Sequence, residues 1–208
     1  MVIGEGFAWA HLPKTGGDTT RELFQLFPGL VLRADPGDTN EKHLTFRRRQ
    51  DVVAGKVLAM NIRRLPAWAL SRAQHVTREG VYPDYVPLPL ATTEEIAASS
   101  LPDLRLEHFT DHWRLDIGVF LRLEHLRDDF LDFVRRFVAV SPERERLVHE
   151  HPARDVGDYD HDLQRWFSPA QLESLYERNP RWAALEEELY GDLLLDPRAS
   201  LPGPPQAP

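Results

Sequence analysis

One stretch of this sequence carries chemistry on its face: HLPKTGGDTT, residues 11 to 20, sets Lys14 between a proline and two glycines. Adjacent glycines allow successive backbone N–H groups to converge on an anion, and a lysine beside them adds a full positive charge. Such a turn can hold a phosphate- or sulfate-like group and stabilise charge that grows on it. The lysine is selected rather than incidental. Of the 25 basic residues only Lys14, Lys42 and Lys56 are lysines, so a chain that otherwise uses arginine places a compact, proton-donating ammonium at the glycine turn.

The elements around this turn follow from apolar runs and caps. GFAWAH, residues 6 to 11, is a short aromatic-rich run that stops at Pro13 and predicts a buried strand ending in a turn. TTRELFQLF then places Leu23, Phe24 and Phe27 on one helical face, with Thr19 or Thr20 as the cap. The segment 28–40 reads as loop with a short strand at LVLR, and TFRRRQDVV as a short helix. KVLAMNI, residues 56 to 62, is a second buried strand feeding a second helix, PAWALSRAQHVTRE. Residues 80–103 are proline-rich without periodicity and predict a long ordered loop or lid. IGVFLRLEHL reads as a third strand before the helix DDFLDFVRRFVAV, and the remainder as helices capped by Ser141 and Ser168, each followed by proline.

Strands alternating with helices imply an α/β fold, a parallel β-sheet flanked by helices with a helical C-terminal portion. Ligands on such sheets bind at the carboxyl ends of the strands, where both strand–helix junctions fall. Residues 1–195 read as one domain and 196–208 as a proline-rich, disordered tail. A chain of 208 residues can bury roughly 70% of its unfolded surface without disulfide or metal staples. The absence of cysteine excludes disulfides and thiolate catalysis, and fits a reducing compartment. A formal charge of −8 argues against nucleic acid as a partner, so any anion site must be local. With no apolar run near the roughly 18 residues of a membrane span, and no charged-then-apolar leader, the expectation is a soluble cytoplasmic protein.

The order of residues in the turn separates it from a nucleoside-triphosphate loop. That loop reads G-x-x-x-x-G-K-[ST], with lysine after the glycines, whereas Lys14 precedes Gly16 and Gly17. The second strand ends in MNIRR and supplies no acidic magnesium ligand. HLPKTGGDTT instead resembles the 5′-phosphosulfate loop of sulfotransferases that use 3′-phosphoadenylyl sulfate (PAPS), commonly written h-x-P-K-[TS]-G-[GT]-[TS]-[TS]. In that family a second strand ends in an arginine near a proline, with a serine about eight residues on. Here that region is IRRLPAWALS, where Arg64 keeps the R-x-P pattern and Arg63 stands eight residues before Ser71. FLRLEHLRDDF and RWFSPAQLESLYERNPRW resemble later elements of the same family, so the likeness covers most of residues 6 to 190. One departure is Asp18, at a position that is usually Thr or Ser.

The resemblance implies a P-loop-like sulfotransferase that moves a sulfuryl group from PAPS onto a hydroxyl of a small molecule or glycoside, without metal. It implies that Lys14, Thr15, Gly16, Gly17, Asp18, Thr19 and Thr20 surround the 5′-phosphosulfate, and that Arg63 or Arg64 with Ser71 grips the 3′-phosphate. It places the general base in the segment after the first helix, where His43 is the natural candidate near neutral pH, with Glu41 and Asp18 as alternatives. Arg154 reads as a surface arginine or a second phosphate ligand. Two further function classes stay open: a nucleotide kinase of similar topology, and a non-catalytic module that binds adenosine bisphosphate.

The other constellations read most simply as structure. His108 and His112 share a helical spacing but no third zinc ligand is apparent. His149 and His151 read as surface residues, Arg47, Arg48 and Arg49 as a charged face that can attract an anionic acceptor, and Glu124 as structural. Trp68, Tyr82, Tyr85 and Trp113 are candidates for an acceptor pocket or for the core, Trp113 for the core.

Overall fold

The computed structural model describes residues 1–37, 43–79, 93–111 and 115–199. In chain order its elements are β1 (Val2–Gly4), β2 (Phe7–Ala10), α1 (Gly17–Gln25), β3 (Val31–Ala34), a 3-10 turn (Phe46–Arg49) running into α2 (Gln50–Val53), β4 (Val57–Ile62), α3 (Leu65–Glu79), α4 (Thr93–Ala97), α5 (Leu101–Phe109), β5 (Val119–Arg122), α6 (Leu126–Val134), α7 (Pro142–Glu150), α8 (Pro169–Arg178) and α9 (Pro180–Tyr190). The described residues fall into two compact units, one from residues 1–62 and 107–155, the other from 63–106 and 156–199.

The first unit holds a five-stranded sheet of order β3-β1-β2-β4-β5. Its β2, β4 and β5 run parallel, with Ala10 opposite Met60 and Ile62 opposite Arg122. Each of these three strands leads into a helical segment, as a parallel pairing requires. The sheet as a whole is mixed, because β1 alone runs against the other four strands. The strand β1 pairs antiparallel with both β2 and β3; only Glu5 and Gly6 separate it from β2, and so short a link can join only antiparallel neighbours.

Helix α1 is held over the sheet by an aromatic cluster. Leu23, Phe24 and Phe27 are all buried, and Phe24 stacks on Phe7 of β2 at 5.5 Å and meets Phe130 of α6 edge-on at 5.0 Å. Phe133 closes the group, 5.2 Å from Phe7. Burying each such ring contributes about 1.5–3 kcal/mol, so the helix that begins at the glycine turn has a firm seat. It begins earlier than the threonine caps suggested. Gly16, at φ 81°, is the N-cap and α1 starts at Gly17, since only glycine reaches this left-handed bend without a Cβ penalty.

In the second unit α3, α4, α8 and α9 pack together, with Trp68 and Trp182 5.2 Å apart and both buried. Trp68 is therefore core. Ser168 makes a reciprocal capping box with Gln171 at the start of α8, and Asp103 caps α9 by accepting from the Arg181 and Trp182 backbone N–H groups at 3.0 and 2.7 Å. Two helices, α4 and the start of α5, occupy 93–103, where the sequence implies a loop; residues 80–92, with Tyr82 and Tyr85, lie outside the described residues, as do His112, Trp113 and 200–208 of the tail. Ser141 caps α7 as its sequence implies. Among the described residues no helix is long and apolar enough to cross a membrane.

Candidate active site

The glycine turn joins β2 to α1 at the carboxyl end of a central parallel strand. Two residues of the turn have left-handed backbone, Lys14 at φ 68° and Gly16 at φ 81°. For lysine this conformation costs on the order of 1 kcal/mol or more, so the surrounding structure must impose it.

The imposing contacts are visible in the carbonyl groups. Thr15 Oγ1 donates to Leu12 O at 2.6 Å, Asn61 Nδ2 donates to Thr15 O at 2.9 Å, and Thr20 donates to Gly16 O through both its hydroxyl and its backbone N–H, each at 3.1 Å. Three carbonyls of the turn, those of Leu12, Thr15 and Gly16, are thus bound on the protein side. The N-terminus of α1 has no side-chain cap, and its positive dipole end is of the kind that favours an anion.

Both glycines are required by their neighbours, and Gly16 by its backbone angle as well. A Cβ on Gly16 would lie 2.3 Å from Leu123 Cδ1, and one on Gly17 would lie 1.9 Å from His11 Cδ2. His11 is buried and stacks on Trp9 at 5.8 Å, so its ring fills the space that a side chain at position 17 would need.

His11 also brings His43 to the turn. The two rings lie 4.5 Å apart, and His43 Nδ1 is 3.3 Å from the His11 carbonyl oxygen. A carbonyl only accepts, so the nitrogen facing it carries the proton in the neutral ring, and Nε2 keeps the lone pair. The contact suits the neutral tautomer with the proton on Nδ1. Glu41 lies outside the described residues.

Asn61, near the end of β4, is the hub of the arrangement and is fully buried. Its Oδ1 accepts from Trp9 Nε1 at 2.7 Å, while Nδ2 donates to Thr15 O and, at 2.8 Å, to Thr20 Oγ1. The Thr20 hydroxyl is thus committed on both sides, donating to Gly16 O and accepting from Asn61. Thr19 Oγ1 accepts from Arg154 N at 2.9 Å and keeps its own proton. The Arg154 guanidinium pairs with Glu22 at 2.8 Å, docking the segment after α7 on the first turns of α1. Asp18 is half-buried in the first turn of α1.

Comparisons with protein-family models, curated proteins and solved structures return no match to this chain.

The second-strand residues lie in the second unit and differ from one another. Arg64 is engaged internally: Nη1 donates to Glu186 at 3.1 Å, Nη2 to Asp192 at 2.6 Å, and the guanidinium lies 4.2 Å from the centre of the Tyr190 ring. Burial works against its charge, but the bonds to Asp192 and Glu186 hold its pKa above the ordinary value. Glu186 is fully buried and also accepts from Leu65 N and the Tyr176 hydroxyl, both at 2.7 Å. Burial pushes its carboxyl pKa up, with those N–H and O–H donors and Arg64 pulling back. Arg63, by contrast, has a buried Nε without a hydrogen-bond partner among the described residues, and Ser71 is buried.

In the first unit Arg47 and Arg48 are exposed, and Arg49 pairs with Asp35 at 3.0 Å. His149 and His151 face Asp128 and Glu22 at 3.9 and 3.7 Å. Among the described residues no group of three His, Asp or Glu could hold a metal ion. Asn61 and His11 are the two site residues that the motif reading passed over. The signal for Asn61 was a lone amide inside the apolar run VLAMNI, a polar group that must find partners once buried.

Proposed function

We propose that this chain is a PAPS-dependent sulfotransferase acting on a hydroxyl of a small molecule or glycoside. The observation that carries the reading is the turn itself: the Thr15 and Gly16 carbonyls are bound on the protein side, the helix that follows has no side-chain cap, and the adjacent strand offers the amide of Asn61 where a magnesium-dependent kinase needs a carboxylate.

The residues fit the donor. Gly16 and Gly17 leave a cradle that a Cβ would fill, and the orphaned Nε of Arg63 suits a phosphate oxygen. Bound PAPS supplies the sulfuryl group: the acceptor oxygen bonds to sulfur as the bond from sulfur to the 5′-phosphate oxygen breaks, and adenosine 3′,5′-bisphosphate leaves. The first N–H groups of α1 bind and orient the 5′-phosphosulfate, and Lys14 stabilises charge on the departing oxygen. The lone pair of His43 Nε2 takes the acceptor's proton, a role for which its Nδ1 contact with the His11 carbonyl prepares it. Arg63 and Ser71 are assigned to the 3′-phosphate on the sequence pattern, Arg64 being held by two carboxylates.

Thermal-shift titration tests this directly. Adenosine 3′,5′-bisphosphate should raise the melting temperature and ATP with magnesium should not, and PAPS with a panel of hydroxyl compounds should then give a sulfated product. Stabilisation by ATP–magnesium alone would replace this reading with a kinase. Stabilisation by the bisphosphate with no product from any acceptor would favour a sensor.

A further inference from the structure

Asn61 is fully buried against the turn, and its three hydrogen bonds orient groups of the turn itself. Its amide nitrogen has two protons and both are placed, one on Thr15 O at 2.9 Å and one on Thr20 Oγ1 at 2.8 Å. Its oxygen is oriented by Trp9 Nε1 at 2.7 Å, which fixes which end of the amide faces the turn, since an indole N–H can only donate. The Thr20 hydroxyl, receiving this N–H, sends its own proton to Gly16 O. A chain of donors therefore runs from Trp9 through Asn61 and Thr20 into the turn.

Resting on the sulfotransferase reading, we propose that Asn61 is a specificity-determining residue that sets this turn for a metal-free anion. It does so by two actions of the same nitrogen. Binding Thr15 O keeps that carbonyl away from the anion. Binding Thr20 Oγ1 occupies one of the two lone pairs of the hydroxyl and brings an N–H to the place a divalent cation would take, because in phosphate-binding turns that do take magnesium the metal lies between a turn hydroxyl and a carboxylate from the neighbouring strand. An aspartate at position 61 would have nearly the same shape and would keep the Trp9 bond. Its other oxygen would face Thr15 O and Thr20 Oγ1 with lone pairs instead of protons, and a carboxylate oxygen is a ligand that a hard cation binds.

The test uses the full chain and three variants, Asn61→Asp, Asn61→Ala and Asn61→Asp with Thr20→Val, each checked for a folded melting transition by circular dichroism. Binding of adenosine 3′,5′-bisphosphate is measured by calorimetry with and without Mn²⁺, and bound Mn²⁺ by electron paramagnetic resonance. The wild-type affinity should be the same with and without Mn²⁺. In Asn61→Asp it should fall about tenfold or more without metal and recover in part with Mn²⁺, and the bound-Mn²⁺ signal should vanish when Thr20→Val is added. Asn61→Ala, which removes both donors and adds no charge, should weaken binding similarly with no Mn²⁺ dependence, and it answers the question if the aspartate variant does not fold. Folded Asn61→Asp or Asn61→Ala protein that binds the bisphosphate as wild type does, or a wild-type affinity that depends on Mn²⁺, overturns the proposal. If wild type binds no bisphosphate at all, the sulfotransferase reading fails, while Mn²⁺ uptake by Asn61→Asp that is lost with Thr20→Val still reports on Asn61.

Discussion

Replacing Gly17 with alanine sets two effects of opposite sign against each other. Position 17 is the first residue of α1 and its φ is not positive, so by helix propensity and unfolded-state entropy alone the change should stabilise by about 0.5–1 kcal/mol. The new Cβ, however, would stand 1.9 Å from His11 Cδ2 and 2.2 Å from Nε2. That ring cannot swing aside freely, being buried between Trp9 and His43 at 5.8 and 4.5 Å. Overpacking of this kind costs about 1–3 kcal/mol, which leaves a net loss of up to about 2.5 kcal/mol and, at about 2–4 °C per kcal/mol for a chain of this size, a melting temperature lower by up to roughly 10 °C. Calorimetric melting decides the sign. Gly29→Ala is the control, because nothing lies within 4 Å of its would-be Cβ, and it should be neutral or mildly stabilising. In a double-mutant cycle His11→Ala should relieve the clash, with a coupling of about 1 kcal/mol or more. A Gly17→Ala protein as stable as wild type, together with additive effects in the cycle, would refute the placement of His11 against the turn.

Lys14→Ala should lower turnover about 10²–10³-fold while changing affinity for adenosine 3′,5′-bisphosphate by less than about tenfold, measured by initial rates and calorimetry. His43→Ala should remove the acid limb of the pH–rate profile, whereas Asp18→Asn and Glu41→Gln should keep it; a limb that survives in His43→Ala assigns the base elsewhere. Arg64→Ala should destabilise by about 2–4 kcal/mol in denaturant melts, by leaving buried Glu186 without its cation, while Arg63→Ala should weaken bisphosphate binding with little change in stability. Because burial raises the Glu186 pKa above 4.5, the native state holds this proton more tightly than the unfolded chain. The stability advantage is then full below the unfolded value and declines as pH rises through the raised one; the stability of wild type relative to Glu186→Gln, followed from pH 4 upward, should fall.

The strand–turn–helix unit was legible before folding because its signals are local. Pro13, the two glycines and the apolar runs FAWA and VLAMNI state where strands stop and a helix begins, and Ser141 and Ser168 announce the starts of their helices within four residues. β1 escaped notice because three residues, VIG, carry no periodicity, and pairing with two partners rather than pattern makes them a strand. The threonines after Gly17 read as caps by composition, yet the left-handed bend at Gly16 starts α1 sooner and leaves both threonine hydroxyls to partners from other segments.

What the sequence by itself determined is therefore the chemistry within short range: a lysine at a glycine turn, a strand before it, a helix after it, and two arginines following a second strand. Only the tertiary structure decided which of these groups stay available to a ligand. Arg63 and Arg64 are neighbours with the same side chain, but Glu186 and Asp192, more than a hundred residues away, neutralise Arg64 alone. Asn61 and Trp9, on paired strands, together orient a turn that neither could hold from its own place in the chain. The physical reason is that a polar group's role depends on which partners meet its donors and acceptors once water is excluded, and those partners come together only through strand pairing and helix packing.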